Sequence, residues 1–117
     1  MIQQESKTFK MTAAGKRYLS FLAAFNTGNP TVMRDYIHQY FDPFSFCDED
    51  VDAFLRWYQH IFHETGGMNI HKTFLAQDYY VIIIVESKKD GKHYLDKLSV
   101  TREYPYLITE YFHEAKP

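Results

Sequence analysis

Residues Tyr79-Tyr80-Val81-Ile82-Ile83-Ile84-Val85-Glu86 form the longest apolar run in the chain. Its side chains are β-branched almost throughout, which makes them stiff about χ1 and suits a pleated packing surface better than a helix. The run leads into Ser87-Lys88-Lys89-Asp90-Gly91-Lys92, where Asp90-Gly91 is a strong hairpin signal. We read it as the central strand of an antiparallel sheet, with everything N-terminal packed against it.

A chain of 117 residues is long enough for one domain with a real core. Ten Phe, ten Tyr and one Trp exclude a disordered chain. Tyr also keeps a polar tip on an apolar body, which suits pocket walls and subunit interfaces. A formal net charge of −2 gives no electrostatic case for nucleic acid or an anionic membrane as partner. No stretch approaches the roughly 20 apolar residues of a membrane span. The single cysteine, Cys47, excludes an intrachain disulfide and reads as a buried structural thiol. The first residues, Met1 to Ser6, lack the basic start and apolar core of a signal peptide. The expected setting is soluble and cytoplasmic.

Residues 1–10 are polar and expected to be flexible, leaving 11–117 as the single domain. Thr12 can cap a first helix whose stripe is Tyr18, Leu19, Phe21, Leu22 and Phe25. Asn26-Thr27-Gly28-Asn29-Pro30 then ends that helix at Gly28 and starts the next with an Asn29 cap and Pro30 in the first turn. The second helix carries Val32, Met33, Tyr36, Ile37 and Tyr40 and stops before Asp42-Pro43. An aromatic loop, 41–47, is expected to fold over the core. Asp48 caps a third helix, where Glu49, Asp50 and Asp52 complement the helix dipole rather than form a cation loop. That helix presents Phe54, Leu55, Tyr58, Ile61 and Phe62 and ends at Gly66-Gly67.

From Asn69 the period is two. A two-residue turn at Asp90-Gly91 sets Val81 opposite Val100, Ile83 opposite Leu98 and Val85 opposite Asp96, all facing the helices. A tight turn at Asp78-Tyr79 adds Ile70, Lys72, Phe74 and Ala76 to that inner face. A four-residue loop, 103–106, pairs Val100 with Thr109, Leu98 with Tyr111 and Asp96 with His113. The alternative register buries Glu110 and is disfavoured by the cost of an unpaired carboxylate. The outer face then carries Tyr80, Ile82, Ile84, Leu95 and Lys97, an apolar patch that would meet water in a monomer and is expected to form a homodimer interface.

Three helices followed by an antiparallel sheet make an α+β fold. The order resembles the nuclear transport factor 2-like (cystatin-like) superfamily. Leu22-Ala23-Ala24-Phe25-Asn26-Thr27-Gly28-Asn29-Pro30, followed by Met33-Arg34-Asp35-Tyr36, looks like the helix junction of its small members. Pro105-Tyr106-Leu107-Ile108 looks like the entry to their last strand. The resemblance implies a cone of three helices on a curved four-stranded sheet, a pocket between the layers and sheet-to-sheet pairing. The isomerase branch of that family pairs a carboxylate base with an oxyanion hole. No motif here matches those positions, so the resemblance implies architecture alone.

Asp96 with His113 is the best chemical constellation, flanked by Lys72, Tyr94 and Tyr111. An Asp that orients a His can tune a base near neutral pH, and aromatic walls can hold a small apolar ligand. Tyr18, Tyr36 and Tyr58 are further candidates for hydroxyls turned into the pocket. His60, His63 and Glu64, with His71, give too few placed ligands for zinc and read as a solvated face. No metal or cofactor is therefore expected. The leading function is a non-catalytic ligand-binding or interaction domain acting as a homodimer. The alternative is an enzyme of the isomerase, dehydratase or cyclase kind, with Asp96 and His113 transferring a proton.

Overall fold

The computed structural model describes residues 11–116; the stretch 1–10, expected to be flexible, lies outside the described residues. Helix α1 (Ala13–Asn26) begins where Thr12 Oγ1 accepts the Gly15 N–H at 2.9 Å. It ends at Gly28, whose φ of +68° a side chain rarely adopts. A Cβ there would also stand 2.6 Å from the tip of the Phe62 ring, which would have to shift to admit it. Asn29 caps α2 (Pro30–Tyr40) through its side-chain oxygen, which accepts the Thr31 N–H at 2.9 Å.

Helix α3 (Asp48–Thr65) starts one residue from expectation. Cys47, not Asp48, is its cap, because the Asp50 carboxylate reaches back to accept the Cys47 N–H at 2.9 Å. That position leaves the Cys47 thiol exposed rather than buried. In the preceding loop Phe41 is buried and Phe46 packs beside it, while Phe44 is 99% exposed.

The remaining elements are β1 (Met68–Ala76), β2 (Tyr80–Ser87), β3 (His93–Val100) and β4 (Ile108–Ala115), antiparallel in chain order with β1 and β4 at the edges. The sheet curls without closing, and the fold is α+β as expected. Tyr18, Phe21 and Phe25 of α1 meet Val81, Ile83, Val85, Leu98 and Ile108 in one core cluster. Aromatic pairs such as Phe25–Tyr58 (4.9 Å) and Phe21–Tyr111 (4.7 Å) each add roughly 0.5–1.5 kcal/mol beyond simple area burial.

The β3–β4 register is the expected one at Asp96 opposite His113 and Leu98 opposite Tyr111, but an irregularity after Ser99 sets Val100 against Ile108 rather than Thr109. The β2–β3 register is displaced by two: Val81 faces Leu98, Ile83 faces Asp96 and Val85 faces Tyr94. The turn is longer than Asp90-Gly91 alone. Ser87 N–H donates to Lys92 O at 2.8 Å and Gly91 N–H to Ser87 O at 3.0 Å. Lys88 N–H and Lys89 N–H donate to Gly67 O and Thr65 O, so the end of α3 holds the loop open. An even shift preserves the faces.

Strand β1 departs further. The Asp78-Tyr79 turn forms, and Gln77 N–H donates to Tyr80 O at 2.9 Å. Bulges between Ile70 and Lys72 and between Thr73 and Leu75 then reverse the alternation. Lys72 faces Ile84 and Thr73 faces Ile83, so Lys72 and Phe74 leave the inner face and both are exposed. Ile84, expected on an open outer face for a second copy to cover, is only 6% exposed in the single chain although it lies outside the helix-side core cluster. Its cross-strand neighbours are Lys72 and Leu95, and a lysine stem can lie along apolar surface.

Candidate functional site

Asp96 stands on an inner strand with 0% exposure. Its two oxygens are both engaged: Tyr18 Oη donates to Oδ2 at 2.6 Å, and Oδ1 lies 2.5 Å from His113 Nδ1. An ionised carboxylate only accepts, so against an ionised Asp96 the proton of this bond sits on Nδ1 and Nε2 is the ring nitrogen left facing away from it. Such charge-assisted bonds are about twice as strong as neutral ones. They hold the imidazole in one orientation.

Strand alternation puts Tyr111 beside His113 on β4 and Tyr94 beside Asp96 on β3. The Tyr94 ring stacks on His113 at 4.6 Å, and Trp57 meets it edge-on at 5.3 Å. Tyr111 is enclosed by Phe21, Phe54 and Trp57. Burial first, then the nearby Asp96 charge, raises the Tyr111 hydroxyl well above the usual tyrosine range; burial first does the same for Tyr18. His113 Nε2 is buried and has no hydrogen-bond partner among the described residues; the buried Tyr111 hydroxyl lies against the Asp96 carboxylate, whose oxygens can each take a second donor. An unpaired buried nitrogen is costly unless something meets it, and His113 and Tyr111 stand two residues apart on one face of β4.

They line a groove of about 500 Å³ between α3, the loop before it and β4. Helical spacing sets Ala53, Phe54 and Trp57 along its wall; Phe46 closes one end, with Ser45 and Asp50 at the rim. A hollow of about 380 Å³ on the outer sheet face is lined largely by Tyr80, Lys97, Ser99 and Glu110. Phe112, His113 and Glu114 complete its lining, so His113 borders both hollows, but only the inner groove joins it to Tyr111 and an aromatic wall.

Several candidates fall elsewhere. Lys72 is on the outer face, removed by the β1 bulge from the row that holds Asp96. Tyr36 Oη meets Ser20 Oγ at 2.6 Å and donates to Arg17 O at 3.1 Å, and Tyr58 Oη donates to Phe25 O at 2.8 Å. These two hydroxyls tie helices together. Tyr18 supports the site from behind Asp96. Phe46, Phe54 and Trp57, which sequence reasoning assigns to loop and core, are the groove's apolar wall. Their only sequence signal is an aromatic excess that does not say which ring remains partly open.

Among the described residues no helix is long and apolar enough to cross a membrane. Comparison with known proteins gives no match to the chain, whether by family model, by curated protein or by solved structure.

Proposed function

We propose that the chain is a small nuclear transport factor 2-like domain that binds a compact aromatic molecule carrying a hydroxyl. The observation that supports this most is a buried, unpartnered ring nitrogen, His113 Nε2, beside an aromatic groove. A ring would lie against Phe46, Phe54 and Trp57 while its hydroxyl donates to Nε2. Trp57 is the single tryptophan, so its fluorescence reports occupancy. With 2-naphthol as probe, saturable quenching is expected, weaker for naphthalene and for the His113→Phe variant. Equal quenching by naphthalene and 2-naphthol would remove the polar half of this reading.

The Asp96–His113 bond favours one further reading, an isomerase-, dehydratase- or cyclase-type proton transfer with Nε2 as the base. The test is wash-in of solvent deuterium α to a ketone, present in the wild type and lost in His113→Gln. A homodimer through the outer sheet face belongs to the same proposal. Phe112, 57% exposed opposite Lys97, is the apolar side chain there best placed to meet a second copy. Phe112→Lys is expected to lower the sedimentation coefficient to that of a monomer.

A further inference from the structure

The outer face carries a second carboxylate–imidazole cluster, at the end of the sheet beside the β2–β3 turn. Glu86 on β2 lies directly opposite His93 on β3, and Glu86 Oε1 is 3.0 Å from His93 Nε2. On the other side, Glu86 is paired with Asn69 of β1, so His71 is its diagonal neighbour. The first β1 bulge falls at His71: Ile70 faces Val85 and Lys72 faces Ile84, which leaves His71 as the extra residue. Bulges re-aim side chains in this way. His71 Nδ1 comes within 3.9 Å of the same Glu86 oxygen, and the two imidazole rings lie 4.3 Å apart.

We propose that His71, Glu86 and His93 bind a late first-row divalent cation such as zinc. One ligand atom from each residue lies within 4.8 Å of the others. Ligands bound tetrahedrally at about 2.0–2.1 Å stand roughly 3.3 Å apart, so the 3.0 and 3.9 Å separations bracket the required value. Small side-chain rotations complete the convergence, since all three side chains are between 33% and 47% exposed. Two imidazoles and one carboxylate select zinc, cobalt, nickel or copper over calcium or magnesium, which prefer all-oxygen shells. Three protein ligands on an open surface leave the remaining coordination to solvent. The site does not depend on the inner groove.

The experiment is titration of tag-free protein with Co²⁺, read by its visible d–d absorption, and with Zn²⁺, read by calorimetry and melting temperature. One equivalent is expected to bind and to raise the melting temperature. His71→Ala and His93→Ala should each weaken binding by more than about 100-fold, beyond the loss typical of a supporting residue. The double variant His60→Ala/His63→Ala and the single variant His113→Gln should bind as the wild type does. An absence of binding at millimolar metal would overturn the proposal. So would binding that survives His71→Ala but disappears with His60 and His63.

Discussion

Two faces of one sheet hold the same pair of chemical groups and treat them in opposite ways. On the inner face Asp96 and His113 have side chains 0% and 4% exposed, held at 2.5 Å with Tyr18 completing the carboxylate's shell. On the outer face Glu86 meets His71 and His93 with a third to a half of each side chain in water. The difference is one of solvent. Buried charges are costly unless paired, so the inner dyad is locked and directs a single ring nitrogen. Exposed pairs contribute little and can be exchanged for another partner. The first arrangement suits recognition or proton transfer at a fixed atom; the second suits capture of an ion.

The largest expected contrast is in stability. His113→Ala strands the Asp96 carboxylate in the core and should cost about 3–5 kcal/mol, the usual penalty for breaking a buried pair. Glu86→Ala should cost less than about 1 kcal/mol. Urea denaturation of the two variants measures the difference, and similar midpoint shifts would erase the distinction between the faces. Next comes Tyr18→Phe, which removes one hydroxyl and leaves Asp96 Oδ2 unpaired; about 1–3 kcal/mol is expected in the same assay.

Alkaline titration gives a subtler contrast. Burial holds the Tyr18 and Tyr111 hydroxyls well above the usual value, so their folded-state pKa values exceed the unfolded ones. Their protonated forms therefore stabilise the fold fully below about pH 10, and that stability disappears as pH rises through the folded-state values. Ultraviolet titration should show the Tyr18 and Tyr111 steps only late, together with unfolding. All ten titrating freely in a folded chain would contradict a closed inner face. The last contrast is in self-association, at Ile84→Lys. Ile84 is already covered by its own chain, so this variant should lose stability before it loses self-association, whereas Phe112→Lys should do the reverse.

Much of this molecule is legible as local chemistry. Thr12, Gly28, Asn29 and Pro30 act within a few residues of themselves, so their capping and turn roles follow from residue type. The β3–β4 register was readable because burying Glu110 would be costly, and with it came the pairing of Asp96 and His113. Strand β1 was not readable. Two bulges move Lys72 to the outer face and bring His71 toward Glu86, and an extra residue in a strand leaves no mark on an alternating pattern. The β2–β3 turn departs from its sequence pattern for a related reason. Asp90-Gly91 does signal a turn, but Thr65 and Gly67 at the end of α3 take the loop's N–H groups and lengthen it. With the shorter turn Glu86 would face Leu95. The longer one places it opposite His93 and creates the outer cluster.

The β-branched run from Tyr79 to Glu86 by itself determined that this chain builds an antiparallel sheet with one face turned to the helices. Side-chain period and stiffness are properties of each residue, and they survive a register shift of two. Only the tertiary structure decided which rings remain open beside His113 and which histidines gather around Glu86. Those outcomes depend on where bulges and loop hydrogen bonds fall, and distant residues set them.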